Sequence, residues 1–180
     1  MALALEIARF RAMGCPCAVH AYVASRDEAR RVADAAVGEV RRLEAKYTRF
    51  RDDSLTSSIN RSAGSPEGIV VDDETAALLD YAATCFAHSD GRFDITAGVL
   101  RRAWNFKAKR LPTQAAIDAA LACVGWPHVR WERPRLVLTR PGMELDFGGV
   151  VKEYAADRVA ALCRDLGLAH GLVDLGGDLA

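Results

Sequence analysis

The longest helical signature in the chain places Ala29, Val32, Ala36, Val40 and Leu43 three or four positions apart among polar and small residues. A stripe of that kind covers one face of a helix and buries it against a core. Ser25-Arg26-Asp27-Glu28 precedes it as a capping box, so the spacing predicts a helix to about Lys46. Upstream, residues 3–11 and 17–24 roughly alternate and flank Met13-Gly14, the pattern of a hairpin. The polar segment Thr48 to Gly64 predicts one short helix around Leu55–Arg61. Ile69-Val70-Val71 reads as a strand, and Asp72 or Asp73 caps a second long helix through about His88, stopped by Asp90-Gly91. Phe93-Asp94-Ile95-Thr96 reads as extended and Gly98 to Phe106 as a short helix. Thr113 caps a helix through about Cys123. Strands at 128–132 and 135–139 are joined by a turn at Pro134, whose ring presets φ and which donates no N–H.

Residues 143–157 carry the densest information. Met143, Leu145 and Phe147 alternate with Glu144 and Asp146, which reads as the end of a strand. Gly148-Gly149 turns the chain, and Val150, Val151, Tyr154, Ala155, Val159 and Leu162 then follow at helical spacing. That helix is expected from Gly149 to about Leu166, closed by Gly167. Strand, Gly-Gly and helix start together present free N–H groups and the positive end of a dipole, which suits a phosphate or another anion. The strand and Gly-Gly recur where Leu172-Val173-Asp174-Leu175 runs into Gly176-Gly177-Asp178. An unpaired strand edge or apolar face near 172–180 is expected, and with it self-association. Strands and helices mix without strict βαβ alternation, so the fold class is α+β, a mixed and largely antiparallel sheet packed with helices.

Composition narrows the classes. Of 180 residues, 51% are hydrophobic and 27% charged, enough for a sizeable core. Lys+Arg and Asp+Glu both number 24, so no basic field argues for nucleic acid. The pairs Arg30-Arg31, Arg41-Arg42 and Arg101-Arg102 read as solvated helix faces. The five cysteines, Cys15, Cys17, Cys85, Cys123 and Cys163, are odd in number and irregular in spacing, which favours reduced thiols over a disulfide framework or a zinc knuckle. No apolar run is long enough to span a membrane, and no basic leader precedes an apolar core, so a soluble cytoplasmic protein is expected.

Several side chains carry candidate chemistry. Asp146, just before Gly148-Gly149, could bind a ribose, a ring nitrogen or a metal, or could simply stabilise the turn. Lys152 sits in the first turn of the following helix, where a cation opposes the dipole; it is held for a ligand or is a plain surface lysine. Asp94 either caps the next helix or contacts a ligand, and Trp104 and Phe106 read as core or cleft aromatics. His20, His88, His128 and His170 form no pair at ligand spacing. The phosphate-loop, dinucleotide and nucleophile-elbow patterns are missing.

Taken in order, four blocks resemble the ApbE-like family, the FAD:protein FMN transferases. Met13-Gly14-Cys15-Pro16 is similar to the family's Met-Gly-Thr-Pro. Thr48 to Ser54, with Ile59-Asn60, is similar to Ser-Thr-Tyr-Arg-x-Asp-Ser…Leu-Asn. Gly91 to Gly98, with Trp104-Asn105-Phe106, is similar to Gly-x-Phe-Asp-x-Thr-x-Gly…Trp-Gly-Phe. Leu145 to Asp157, with Val173 to Asp178, is similar to Leu-Asp-Leu-Gly-Gly-Ile-Ala-Lys-Gly-Tyr-Ala-x-Asp…Asn-Leu-Gly-Gly-Asp.

The resemblance implies that Met13, Phe50, Arg92, Phe93, Asp94, Asp146 and Lys152 bind FAD and that the Gly149 carbonyl helps hold magnesium. It implies transfer of FMN from FAD to a threonine or serine hydroxyl of an acceptor protein, with AMP released. Phe50 stands for the usual tyrosine, Cys15 for threonine and Glu153 for glycine. Many family members are periplasmic. The blocks match the N-terminal portion of the family's domain, residues 1–180; the C-terminal portion, which completes the metal site, is not among them. A flavin transferase is therefore expected, with a non-catalytic flavin-binding module or an FAD pyrophosphatase as alternatives. Asp146 or Asp178 could stand in as a metal ligand.

Overall fold

The computed structural model describes residues 2–104 and 111–180. Asn105 and Phe106, the end of one motif block and of one expected helix, lie outside the described residues. The chain divides into two units, one of Met1–Thr48 with Val150–Ala180 and the other of Arg49–Gly149.

The first unit is a four-stranded antiparallel sheet with two helices. Strand β1 (Ala4–Ala12) pairs with β2 (Cys15–Val23) across Met13-Gly14, which take φ of 50° and 75°. Two successive positive φ values make the tight hairpin turn that matches strand twist. Helix α1 (Arg26–Tyr47) starts at Ser25, whose side chain accepts from the Glu28 N–H. Glu28 reaches back to the Ala24 N–H rather than to that of Ser25, a variant of the expected box. Val32, Ala36, Val40, Leu43 and Tyr47 form the buried stripe, while Ala29 is only half-buried. Each fully buried Val or Leu contributes about 1.5–3 kcal/mol of transfer energy.

Helix α5 (Val151–Asp165) packs against α1 and against β6 (Gly171–Leu175). It stops at Gly167, which takes φ of 92° as the expected terminal glycine. Strand β6 does not end the sheet as an open edge. Gly176 and Gly177, both at positive φ, turn the chain so that β7 (Asp178–Leu179) pairs back on β6. The order β1-β2-β6-β7 makes β6 interior and leaves the two-residue β7, within the 172–180 stretch expected to carry an edge, as the edge strand. Glycine made the difference, because it takes the left-handed turn without a Cβ clash.

The second unit holds α2 (Leu55–Arg61), α3 (Asp73–His88) and α4 (Gln114–Leu121) with a small antiparallel sheet. Its strands β3 (Ile69–Val70), β4 (Val129–Glu132) and β5 (Arg135–Leu138) run in the order β3-β5-β4. Ser54, Asp72 and Thr113 cap the three helices through their side chains. Two expectations fail here. Ile95 and Thr96 are not extended; they open a 3-10 helix, Ile95–Arg102, because Asp94 caps it and draws Thr96 in. Residues 143–146 are not a strand of either sheet. Their alternation is as expected, with Met143, Leu145 and Phe147 buried and Glu144 and Asp146 less so.

The backbone partners of that segment are not a neighbouring strand. The Leu145 N–H donates to Asn60 Oδ1 at 2.7 Å, and Asn60 Nδ2 donates to the Leu145 carbonyl at 3.1 Å. The Asp146 N–H donates to the Ile95 carbonyl at 2.9 Å. One side-chain amide thus does the work of a strand edge. Replacing it strands two backbone groups, each worth about 1–3 kcal/mol when left unsatisfied. Asn60→Ala is expected to lower stability by at least ~2 kcal/mol on that basis, with Asn60→Asp intermediate because it keeps the acceptor. Urea unfolding at unchanged m-value measures this; a midpoint equal to the parent's would show that the amide is not holding the segment.

Candidate functional site

The second unit contains a cavity of about 620 Å³, within the size range of small-ligand sites. Phe93 and Trp104 give it aromatic wall, Asp94 and Asp146 give it carboxylates, and Arg49 and Gly149 complete the rim. Gly98 lies on its floor: a Cβ there would sit 2.5 Å from the Asp146 Cβ, so the close approach of the 3-10 helix to the 143–149 segment requires glycine. Gly149 faces Phe93 in the same way, with a built Cβ 3.0 Å from the ring.

The two carboxylates differ in how far they are committed. Asp94 uses both oxygens within the fold. Its Oδ1 accepts from the Thr96 N–H at 2.8 Å and the Thr96 hydroxyl at 2.7 Å, and its Oδ2 accepts from the Trp126 N–H at 2.9 Å. The capping reading of Asp94 is therefore observed, and a ligand contact would be additional to it. Asp146 Oδ1 accepts from the Gly148 N–H at 3.0 Å, which stabilises the Gly-Gly turn. Its Oδ2 forms an ion pair with Arg49.

Arg49 is the residue that sequence reasoning missed. Burial, and then the like charge of Arg101, lower its pKa from the ordinary arginine value. Its Nε is buried with no hydrogen-bond partner, although its head group pairs with Asp146 and stacks 4.9 Å from the Phe50 ring centre. Phe50 itself is 83% exposed and does not line the cavity. Arg92 is also exposed and outside the lining. Of the residues singled out in this unit, Phe93, Asp94, Asp146 and Gly149 converge on one cavity; Phe50 and Arg92 do not.

Met13 and Lys152 belong to the first unit. Met13 occupies the β1–β2 turn, where its N–H donates to Glu44 Oε1 at 2.6 Å. Lys152 lies in the first turn of α5, whose start at Val150 has no side-chain cap. Its Nζ pairs with Asp178 Oδ2 at 3.0 Å. That partner explains the cation at a helix start: Asp178 offsets the unfavourable dipole. Among the described residues no group of three or more His, Cys, Asp or Glu is placed to hold a metal ion. No helix there is long and apolar enough to cross a membrane.

A model of the ApbE family matches residues 13–180. The chain belongs to the ApbE family. It is similar to the FAD:protein FMN transferase of Klebsiella pneumoniae, 31% identical over 93% of this chain and 52% of that protein. The enzyme of the same name from Treponema pallidum is 33% identical over 72% of this chain and 38% of its own length. Among solved structures, the ApbE protein of Thermotoga maritima superposes with a TM-score of 0.84 at 25% identity, covering 95% of this chain and 56% of that one. The flavin transferase ApbE of Vibrio cholerae gives 0.85 at 21% identity, over 97% and 58%. The chain thus spans roughly half the length of the relatives it matches. The α+β architecture is that of the ApbE fold.

Within the ApbE pattern quoted above, Arg49 stands where the family motif has threonine. A cation in place of a hydroxyl was the available signal for its place beside Asp146.

The Lys152–Asp178 pair yields a pH prediction. Asp178, by its hydrogen bond, raises the Lys152 pKa above the ordinary lysine value of 10.5. A raised folded-state pKa gives stability that is present below 10.5 and lost as pH rises through the higher folded value. Partial exposure keeps the contribution below about 1 kcal/mol. Asp178→Asn should therefore lower the urea midpoint at neutral pH, and the gap to the parent should close in the alkaline range. A gap that persists unchanged there would assign the effect of Asp178 to something other than Lys152.

Proposed function

We propose that the chain is the flavin-nucleotide-binding portion of an FAD:protein FMN transferase. The observation that carries the reading is the convergence of Phe93, Asp94, Asp146 and Gly149 on one cavity, in a chain that belongs to the ApbE family. The aromatic wall of Phe93 and Trp104 suits a flat ring system, which buries well against π faces. Asp146 supplies an acceptor for a ring or ribose donor, and Arg49 supplies a cation near it for the nucleotide's phosphates. Met13 and Lys152 are further FAD contacts by the family resemblance, as are Phe50 and Arg92.

The reaction proposed is phosphoryl transfer. A threonine or serine hydroxyl of an acceptor protein attacks the flavin-side phosphorus of FAD. The bond to the adenylate oxygen breaks, the hydroxyl proton is lost, and AMP leaves while FMN stays on the protein as a phosphoester. In this class of reaction, positioning and charge neutralisation supply most of the rate. Magnesium is the cation the family resemblance implies. The residues described here offer it the Gly149 carbonyl and no cluster of three ligating side chains. One neutral oxygen falls short of an octahedral magnesium site. The described part of the chain therefore does not make a full metal site, and no step is assigned to the ion. Asp146 is already engaged by Arg49 and Gly148, and Asp178 by Lys152, so neither is available as a substitute ligand without giving up a partner. A flavin-binding module without transferase activity remains the second reading, and that incomplete metal set is what favours it.

Titration of the chain with FAD, followed by quenching of flavin fluorescence, tests the site. Asp146→Ala and Phe93→Ala are each expected to weaken binding about tenfold, the equivalent of ~1.4 kcal/mol. Binding by both variants equal to the parent's would place the site elsewhere. EDTA should leave FAD affinity of this chain unchanged, because no complete metal site contributes to it. Incubated with FAD, magnesium and an acceptor bearing a threonine site, the 180-residue chain should give little covalent FMN by mass spectrometry. Robust labelling would mean that the chain builds a metal site of its own.

A further inference from the structure

The first unit brings two thiols together at the base of the β1–β2 hairpin. Cys15 and Cys17 are both on β2, two residues apart, and alternate strand positions share a face. Their Sγ atoms are 3.9 Å apart. Both donate toward one acceptor, the Ala12 carbonyl, at 3.4 Å from Cys15 and 3.7 Å from Cys17. Cys17 is 4% exposed, whereas Cys15 is only partly buried. The Cys15 side chain lies over Gly176, where a built Cβ would come within 2.7 Å of both its Cβ and its Sγ. The missing side chain at Gly176 is what gives the Cys15 sulfur its space.

We propose that Cys15 and Cys17 form a reversible redox pair, closing to an intramolecular disulfide in exchange with a small-molecule disulfide such as oxidised glutathione. Cys15, the accessible thiol, attacks one sulfur of the oxidant and expels one glutathione thiolate. Cys17 then loses its proton and attacks the Cys15 sulfur of the mixed disulfide, expelling the second glutathione. The two cysteines lose two electrons and two protons, and the oxidant gains them as two thiols. The sulfurs must approach from 3.9 Å to a bond length of about 2.05 Å. Burial, with the Cys15 thiol alongside, pushes the Cys17 thiol up to about 11. The order of attack follows, since the protonated Cys17 is the poorer initial nucleophile. A ring closed across a single residue is strained, and strained disulfides are the readily reduced ones.

The inference is independent of the flavin reading, and its test needs no flavin. The chain is equilibrated in reduced and oxidised glutathione, quenched in acid, alkylated with a maleimide and mapped by mass spectrometry. The expected product carries two fewer alkyl groups and a peptide spanning residues 15–17 that is two hydrogens lighter, restored by dithiothreitol. It should form about tenfold faster than any modification of Cys85, Cys123 or Cys163, because only this pair has a resolving thiol beside it. Cys17→Ser should stop at a glutathione adduct on Cys15, and Cys15→Ser should leave Cys17 slow to react. A parent chain that accumulates a stable glutathione adduct on Cys15, or that reacts at neither thiol until unfolded by urea, overturns the proposal; this readout on the parent stands even if a variant fails to fold.

Discussion

The second unit depends on how one extended segment satisfies its backbone without a sheet. Alternate residues of this segment, Met143, Leu145 and Phe147, are buried, which sets the backbone N–H and C=O groups beside them against the core. Buried backbone groups are nearly always paired. Here the partners come from a side chain on α2 and from the carbonyl that opens the 3-10 helix. Asn60 reads the Leu145 backbone as a strand would, donating and accepting at one residue. The next N–H, that of Asp146, is held on the Ile95 carbonyl, and the Asp146 side chain lines the cavity. The Gly98 floor then brings the 3-10 helix to within van der Waals contact of it. The pinned segment thus carries the Asp146 carboxylate of the cavity and, through its Oδ1, the Gly-Gly turn.

Much of this was legible from spacing alone. The hairpin at Met13-Gly14, the helix stripes and the caps at Ser25, Asp72 and Thr113 are local, and local rules find them. The alternation at 143–147 also reported the correct buried face. It could not report the partner, since a period of two says that backbone is extended and nothing about what it bonds to. Asn60 lies 85 residues from Leu145, a separation that no window of spacing covers. The same holds for Lys152. Its place at a helix start looked anomalous by dipole rules, and the explanation, Asp178, lies on β7 far along the chain. Ile95 and Thr96 were misread for a different reason: β-branched residues favour strands by propensity, but the Asp94 cap committed them to a helical turn. Of the site residues, Phe93, Asp94, Asp146 and Gly149 were placed by motif, and the structure gathers them. Arg49 was not, because in the motif its position belongs to a neutral residue.

Arg49 and Asp146 set the terms on which any ligand enters the cavity. Both side chains are about a quarter exposed, so their attraction is neither screened as at a free surface nor fully desolvated. A ligand that needs the Asp146 carboxylate must offer it something better than a guanidinium, and an uncharged donor alone does not. A nucleotide is different, since it brings donors on its ring and ribose together with anionic phosphates. Arg49 can then exchange one anion for another while its Nε, now buried without a partner, gains an acceptor. Under the flavin reading, the ion pair therefore favours ring compounds that carry their own anion over neutral ones. Asp94 cannot take part in such an exchange, for its three internal hydrogen bonds hold the Ile95–Arg102 helix start and the Trp126 backbone in place. One carboxylate builds the cavity and the other is left to negotiate with what fills it.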